Sequence, residues 1–229
     1  CPCPGSAESL HVCLQSAAKR CELAQQLAPM IAMSIKSGSS QTDILDEILK
    51  TVEAAKKSYD FDLSDTPMKG SKDAKLVIVE FADFQCPHCR EMSNILNKLS
   101  KKYGDKIAIY YKHFPLGGHP LGSVAAQAAV AAQRQGKFWP MHDLLFEYQV
   151  SLTPEKLTRF GQQIGLNMQK FSVDLSGAET ATKVQADKKE GELANITGTP
   201  SLFFNGVRFM GDRDEAGLTK AIDRALAAT

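Results

Sequence analysis

The sequence has no apolar run long enough to cross a bilayer. It also lacks an excess of either charge: 27 lysines and arginines stand against 26 aspartates and glutamates, a net charge of +1. That balance offers no basic surface to nucleic acid or to an anionic membrane. No leader peptide is recognisable, and the first residue is Cys1. Two readings of Cys1 stay open: a cysteine lipidated after removal of a leader, or simply the edge of the sequence. A further absence concerns Cys86 and Cys89. Cys-x-x-Cys is half of many zinc sites, and no second Cys or His pair lies near it. No metal and no bound cofactor are therefore expected there.

What is present begins with 229 residues, 43% of them hydrophobic, enough to bury a core in one or two domains. The apolar β-branched run Leu76-Val77-Ile78-Val79 reads as a buried strand, and an amphipathic helix opens near Cys86. Strand, Cys-x-x-Cys, helix is a specific combination. The helix sets its unpaired N–H groups and positive dipole end beside Cys86. That field favours the thiolate and lowers its pKa. Pro87 suits the first turn, where a missing N–H costs nothing. His88 can add positive charge or a donor beside the sulfur. Cys89 lies one turn on, placed to close a small disulfide ring. An attacking thiolate with a resolving neighbour is a thiol–disulfide exchange centre.

Four stretches extend this reading: Val79 to Cys89 (Val-Glu-Phe-x-Asp-Phe-x-Cys-Pro-His-Cys), Phe114-Pro115-Leu116, Lys137-Phe138-Trp139, and Gly198 to Gly206. In these motifs and their order, residues 64–228 resemble the DsbA-type branch of the thioredoxin superfamily. The resemblance implies an α/β, thioredoxin-like fold with an inserted helical domain. It implies that Glu80 is a buried acid that helps move the proton of Cys89. It also implies that Pro200 is cis and packs against the redox pair, with Thr199 and Pro200 lining the substrate strand. Many members have Val before this proline, so Thr199 leaves the balance between oxidant and isomerase open. On the residues alone, a buried acid in an apolar strand has a raised pKa and can act as a base; the plainer alternative is a solvated strand-end carboxylate. Lys112 is a candidate partner for Glu80.

Along the chain, residues 1–60 form a cysteine-rich extension and 64–229 the main domain. In the extension, helical spacing begins near Ser9, Pro29 kinks or breaks it, and Ser37-Gly38 stops it. A second helix with Ile44, Leu45, Ile48, Leu49 and Val52 on one face completes a hairpin. Cys13 and Cys21, eight apart on one helix, would lie about 12 Å apart, too far for a disulfide. Cys1 and Cys3, flanking Pro2, are also badly placed for each other. Structural disulfides would therefore join Cys1 and Cys3 to Cys13 and Cys21, in either pairing. A metal site of four thiolates, with His11 beside it, and a second redox centre are the alternatives. The extension weakly resembles the thiol-redox domain of cytochrome c maturation proteins but lacks that family's Cys-x-x-Cys.

After the linker near 59–67, a second central strand, Lys106 to Lys112, completes a βαβ unit. From about 120 to 196 strand patterns vanish and five helices follow. Asn205-Gly206 between apolar runs predicts a hairpin over 201–210, and a last helix covers 214–227. His113, His119 and His142 are scattered and read as structural or solvent-facing; Phe114, Leu116 and Trp139 read as core or groove lining.

The expectation for function is an oxidoreductase of the bacterial periplasm or cell envelope, where clustered cysteines persist oxidised. It would oxidise cysteine pairs of exported proteins through a mixed disulfide at Cys86 that Cys89 resolves. A membrane disulfide oxidase or reductase would be its electron partner, and the extension could form a dimer. A reductase or isomerase using the same site, and a metal- or partner-binding module built on the N-terminal cysteines, are the rival readings.

Overall fold

The computed structural model describes residues 22–228. The expectations for Cys1, Cys3, Cys13, Cys21 and His11, and for the start of the first helix, lie outside the described residues. The chain divides into two compact units. One is Phe61–Leu202; the other joins Cys1–Asp60 to Phe203–Thr229.

In the second of these, α1 (Glu22–Lys36) and α2 (Gln41–Lys56) form the helical hairpin. Pro29 sits inside α1, which runs on past it; of the kink and the break expected there, the break does not occur. Gly38 stops α1 at φ 77°, with Gly38 N donating to Ile35 O at 3.1 Å and Ser39 N to Ser34 O at 3.0 Å. This pair of bonds is the Schellman ending that glycine favours. Ser40 caps α2 by accepting from Asp43 N at 3.2 Å, and Asp43 answers by accepting from Ser40 N at 3.3 Å. Met33, Ile35, Leu45 and Leu49 stay exposed.

In the Phe61–Leu202 unit, β1 (Met68–Gly70) pairs antiparallel with β3 (Ile107–His113), and β2 (Leu76–Ala82) pairs parallel with it. Leu76 faces Ile107 and Ala82 faces His113 in register. β2 is buried along nearly its whole length, as a parallel strand covered on both faces must be. Gly70, at φ 95°, has no room for a side chain: a Cβ would lie 2.0 Å from Ile107 O. Between β2 and β3 runs α3 (Pro87–Tyr103), burying Cys89, Met92, Leu96, Leu99 and Tyr103 at helical spacing.

Five helices follow β3: α4 (Gly122–Gln133), α5 (Phe138–Glu147), α6 (Pro154–Gln163), α7 (Met168–Leu175) and α8 (Ala178–Leu193). Thr153 and Asn167 cap α6 and α7 with their side-chain oxygens. Ala125, Ala128, Ala129, Ala131 and Ala132 of α4 are buried with Phe138, Met141, Phe146, Phe160 and Phe171 in one core that also holds Phe84, Tyr111, Cys86 and Cys89. Two carboxylates of α8 meet buried Lys112 of β3: Asp187 Oδ1 lies 3.3 Å from Lys112 Nζ, and Glu190 also binds it.

β4 (Ser201–Phe204) begins in this unit beside β2, giving the order β1-β3-β2-β4. It ends in the other unit, where Phe203 and Phe204 pair with Arg208 and Val207 of β5 (Val207–Arg208). Asn205 and Gly206 turn the hairpin at φ 46° and 81°, the primed turn their sequence favours. β5 is two residues long, shorter than the run to Met210 suggests. α9 (Glu215–Ala227) closes the chain, capped by Asp214.

Candidate active site

β2 delivers the chain to a turn at Asp83-Phe84-Gln85, and Cys86 follows as the residue capping α3. Pro87 occupies the first turn. Cys86 O accepts from Cys89 N at 3.0 Å and Arg90 N at 3.3 Å, starting the helix. No oxygen side chain caps these first amides. A sulfur stands where Ser or Asp usually would. Both cysteines are buried and unbridged.

The two thiols are driven in opposite directions. Cys86 is lowered to about 5, chiefly because the Cys89 thiol can donate to its thiolate; burial opposes this, and Thr199 and the backbone amides of Cys89 and His88 assist. Cys89 is pushed far up, first by burial and then because its proton is held toward Cys86. In its thiol form Cys86 Sγ donates to Thr199 O at 3.3 Å. Thr199–Pro200 is a cis peptide bond. The His88 imidazole is 78% exposed and faces Glu91 at 3.7 Å, so the group this residue offers Cys86 is its backbone N–H.

Glu80 is buried in β2, and burial raises its pKa to about 8 against the pull of Lys69. Its Oε1 has no hydrogen-bond partner among the described residues. Lys112 is not its counter-ion, contrary to expectation. In the parallel register Glu80 faces Tyr111 while Lys112 faces Phe81, and alternation sends Lys112 to the opposite side of the sheet. There it meets Asp187 and Glu190. The cation that acts on Glu80 is Lys69 of β1, whose Nζ also binds Asn97 and lies 4.1 Å from the Trp139 ring.

Two further anchors hold the turn. Asp83, its carboxylate fully buried, accepts from Gln85 N and Leu116 N, each at 2.7 Å, and pairs with His119 Nδ1 at 2.7 Å. Its backbone N–H points to Cys89 Sγ at 3.5 Å, and its carbonyl accepts from Cys86 N at 3.0 Å. Gln149, in the short turn after α5, donates to Phe84 O and Cys86 O. Asp-x-Gln before the motif carried a readable signal, since Asp favours bonding the amide two residues on. Gln149 carried none. Among the described residues, no three His, Cys, Asp or Glu side chains converge as metal ligands would.

The comparisons with known proteins fit this geometry. The thioredoxin family matches residues 62–224. The chain belongs to the thioredoxin family. Among curated relatives, the Na(+)/H(+) antiporter NhaA 3 of Salinispora tropica is 34% identical over 162 residues, which is 70% of this chain and 25% of that protein. The chain thus spans about a quarter of the length of the curated relatives it matches. No helix among the described residues is long and apolar enough to cross a membrane. Among solved structures, BdbD from Bacillus subtilis superposes with a TM-score of 0.66 at 24% identity, over 74% of this chain and 97% of that one. The thiol-disulfide exchange protein alpha-DsbA2 from Wolbachia pipientis gives 0.64 at 20% identity, over 77% and 92%. At these identities the likeness is one of fold.

Proposed function

We propose that this thioredoxin-family protein is a thiol–disulfide oxidoreductase that oxidises cysteine pairs in exported proteins. The observation that carries the reading is the placement of the two sulfurs: Cys86 caps α3, where the Cys89 thiol and the backbone amides hold its pKa down to about 5, while fully buried Cys89 is held protonated. A disulfide whose reduced form is stabilised this way is a strong oxidant.

In the proposed cycle, a client thiolate attacks Cys86 Sγ of the Cys86–Cys89 disulfide. The sulfur–sulfur bond breaks, and Cys89 leaves with the electron pair and takes up a proton. Glu80, a buried acid with a pKa near 8, is suited to supply it. The client's second thiolate then attacks the client sulfur of the mixed disulfide, forming the client disulfide and releasing Cys86 as a thiolate. Two electrons and the client's two thiol protons are removed in all. Attack by Cys89 on the mixed disulfide reverses the first step. A membrane disulfide oxidase would accept the electrons and restore the Cys86–Cys89 bond. Thr199 and Pro200 would hold the client as an added strand. Pro87 shapes the first turn, and His88 contributes its amide.

The residues group into a cysteine-rich extension, 1–60, and a redox domain, 64–229, with helices inserted from about 120 to 196. The extension would provide a dimer contact. The clustered cysteines support a location in the periplasm or cell envelope. Ion transport, named for the curated relatives, is not carried over, because the match is a quarter of their length.

The test is the reduction potential, measured by equilibration with glutathione, together with oxidation of a reduced test protein and repair of a scrambled one. A potential well above that of thioredoxin, with oxidation outpacing repair, is expected. A potential close to thioredoxin's would assign the site to a reductase or isomerase.

A further inference from the structure

We infer that the Asp83 carboxylate is a positioning residue for charge on the sulfur of Cys89, acting through its own backbone amide. The inference rests on the exchange reaction proposed above. In that reaction Cys89 sulfur carries the electron pair at one moment, as leaving group or as attacking group according to direction. The transition state is the same either way, so a donor aimed at this sulfur serves both.

The donor is the Asp83 N–H, 3.5 Å from Cys89 Sγ. Its peptide plane is held from two sides. The carbonyl of that peptide, Ala82 O, accepts from Phe114 N at 2.8 Å. Beyond the N–H, the Asp83 side chain is gripped by Gln85 N from the turn and by Leu116 N and His119 Nδ1 from the segment after β3. Leu121 N adds a bond to Gln85 Oε1 at 2.6 Å. One segment, 114–121, therefore clamps the peptide and the carboxylate next to it. The space is filled: a side chain at Gly122 would lie 3.0 Å from Asp83 Oδ1. A carboxylate with this many donors is more than the turn needs, since Gln85 N alone closes it. The two extra donors fix the direction in which the Asp83 amide points.

His119 makes the idea testable. Its ring is 27% exposed, so it can be altered without opening the core. Oxidised protein is mixed with excess dithiothreitol and the loss of the Cys86–Cys89 disulfide is followed by thiol alkylation and mass. A donor no longer held toward the developing charge predicts reduction about tenfold slower in Asp83→Ala, which keeps the N–H but loses the grip that aims it. A smaller slowing is expected in His119→Ala, with the rate restored by His119→Asn, which keeps a nitrogen where Nδ1 stood. The pH titration of the Cys86 thiolate, read in a Cys89→Ser background, should not move with His119→Ala. Parental rates in folded Asp83→Ala and His119→Ala would overturn the inference. So would a His119→Asn variant as slow as His119→Ala, or a shift of the Cys86 titration large enough to explain the slowing. Should Asp83→Ala not fold, the two His119 variants decide. An unsubstituted protein that exchanges no disulfides would instead count against the proposed function.

Discussion

Gln149 donates its side-chain amide to the backbone carbonyl of Cys86 at 2.9 Å, and the same nitrogen reaches Phe84 O at 2.8 Å. The helical insert thus holds the backbone of the turn through one buried side-chain amide. The Cys86 carbonyl has other donors in Cys89 N and Arg90 N. Among the described residues, the donor to the Phe84 carbonyl is Gln149. Gln149→Leu should therefore cost about 1–3 kcal/mol, the penalty for a buried carbonyl left unpaired, measured by denaturant unfolding of the oxidised protein. Gln149→Glu should cost more at neutral pH, because a carboxylate would face two carbonyl oxygens. A Gln149→Leu variant as stable as the parent would show that water replaces the amide without loss.

In the proposed reaction Cys86 is the attacked sulfur, and its lowered pKa sets the pH behaviour expected of the reduced protein. Cys86→Ser should abolish exchange with client thiols. In the reduced parent, the alkylation rate should rise through a midpoint near pH 5 and be level by neutral pH, whereas an ordinary thiol is still rising above pH 8. The linkage has a definite sign. The folded pKa, about 5, lies below the unfolded value of 9.0, so the unfolded chain binds more protons in between. Stability from this group is full above pH 9 and is lost as pH falls through 5. Calorimetry of Cys86→Ala, also reduced, should lack that contribution.

The parts of this site that could be read from the sequence are those fixed by short spacing. Pro87 after Cys86 marks a helix start. Thr153 before Pro154, and Asn167, mark two more, and the helices begin where these residues cap them. Asn205-Gly206 marks its hairpin. The unreadable parts are set by packing between distant segments. Gln149 is 63 positions from Cys86, and His119 is 36 from Asp83. The partner of Glu80 was missed for a different reason. Lys112 looks close, but strand alternation in the β2–β3 register turns it to the other face, and the short strand bearing Lys69 has no strong pattern.

Glu80 should make the oxidised protein less stable as pH rises. Its folded pKa, about 8, lies above its ordinary 4.5, so the folded state binds the extra proton between these values. The contribution is full below pH 4.5 and is lost as pH passes through 8. Using the disulfide form removes titration of the two cysteines. Glu80→Gln should flatten this part of the profile and raise the melting temperature at pH 8. It should also slow exchange if Glu80 supplies the proton to Cys89. A parent and variant with parallel profiles from pH 4.5 to 8 would place the carboxylate in contact with water.

His113 should do the reverse, and its effect can be separated by substitution. The ring is fully buried, neither nitrogen has a hydrogen-bond partner among the described residues, and its pKa is lowered to about 4. Burial is the main cause; Lys183, His142 and Lys112 push the same way, and Asp187 opposes them. The unfolded imidazole titrates near 6.5, so protonation favours the unfolded chain below that pH. Stability is whole above 6.5 and declines as pH falls toward 4. The ring packs with Phe84, Tyr111 and Phe138, so His113→Phe keeps aromatic surroundings and discards two unpaired nitrogens. Its melting temperature should exceed the parent's by a margin that widens from pH 7 to pH 4.5. The slope left in the variant belongs in part to His142, also lowered by burial in the same cluster. A margin that stayed constant over this range would mean that the folded protein protonates His113 as readily as the unfolded chain does, which a fully buried ring without a partner should not allow.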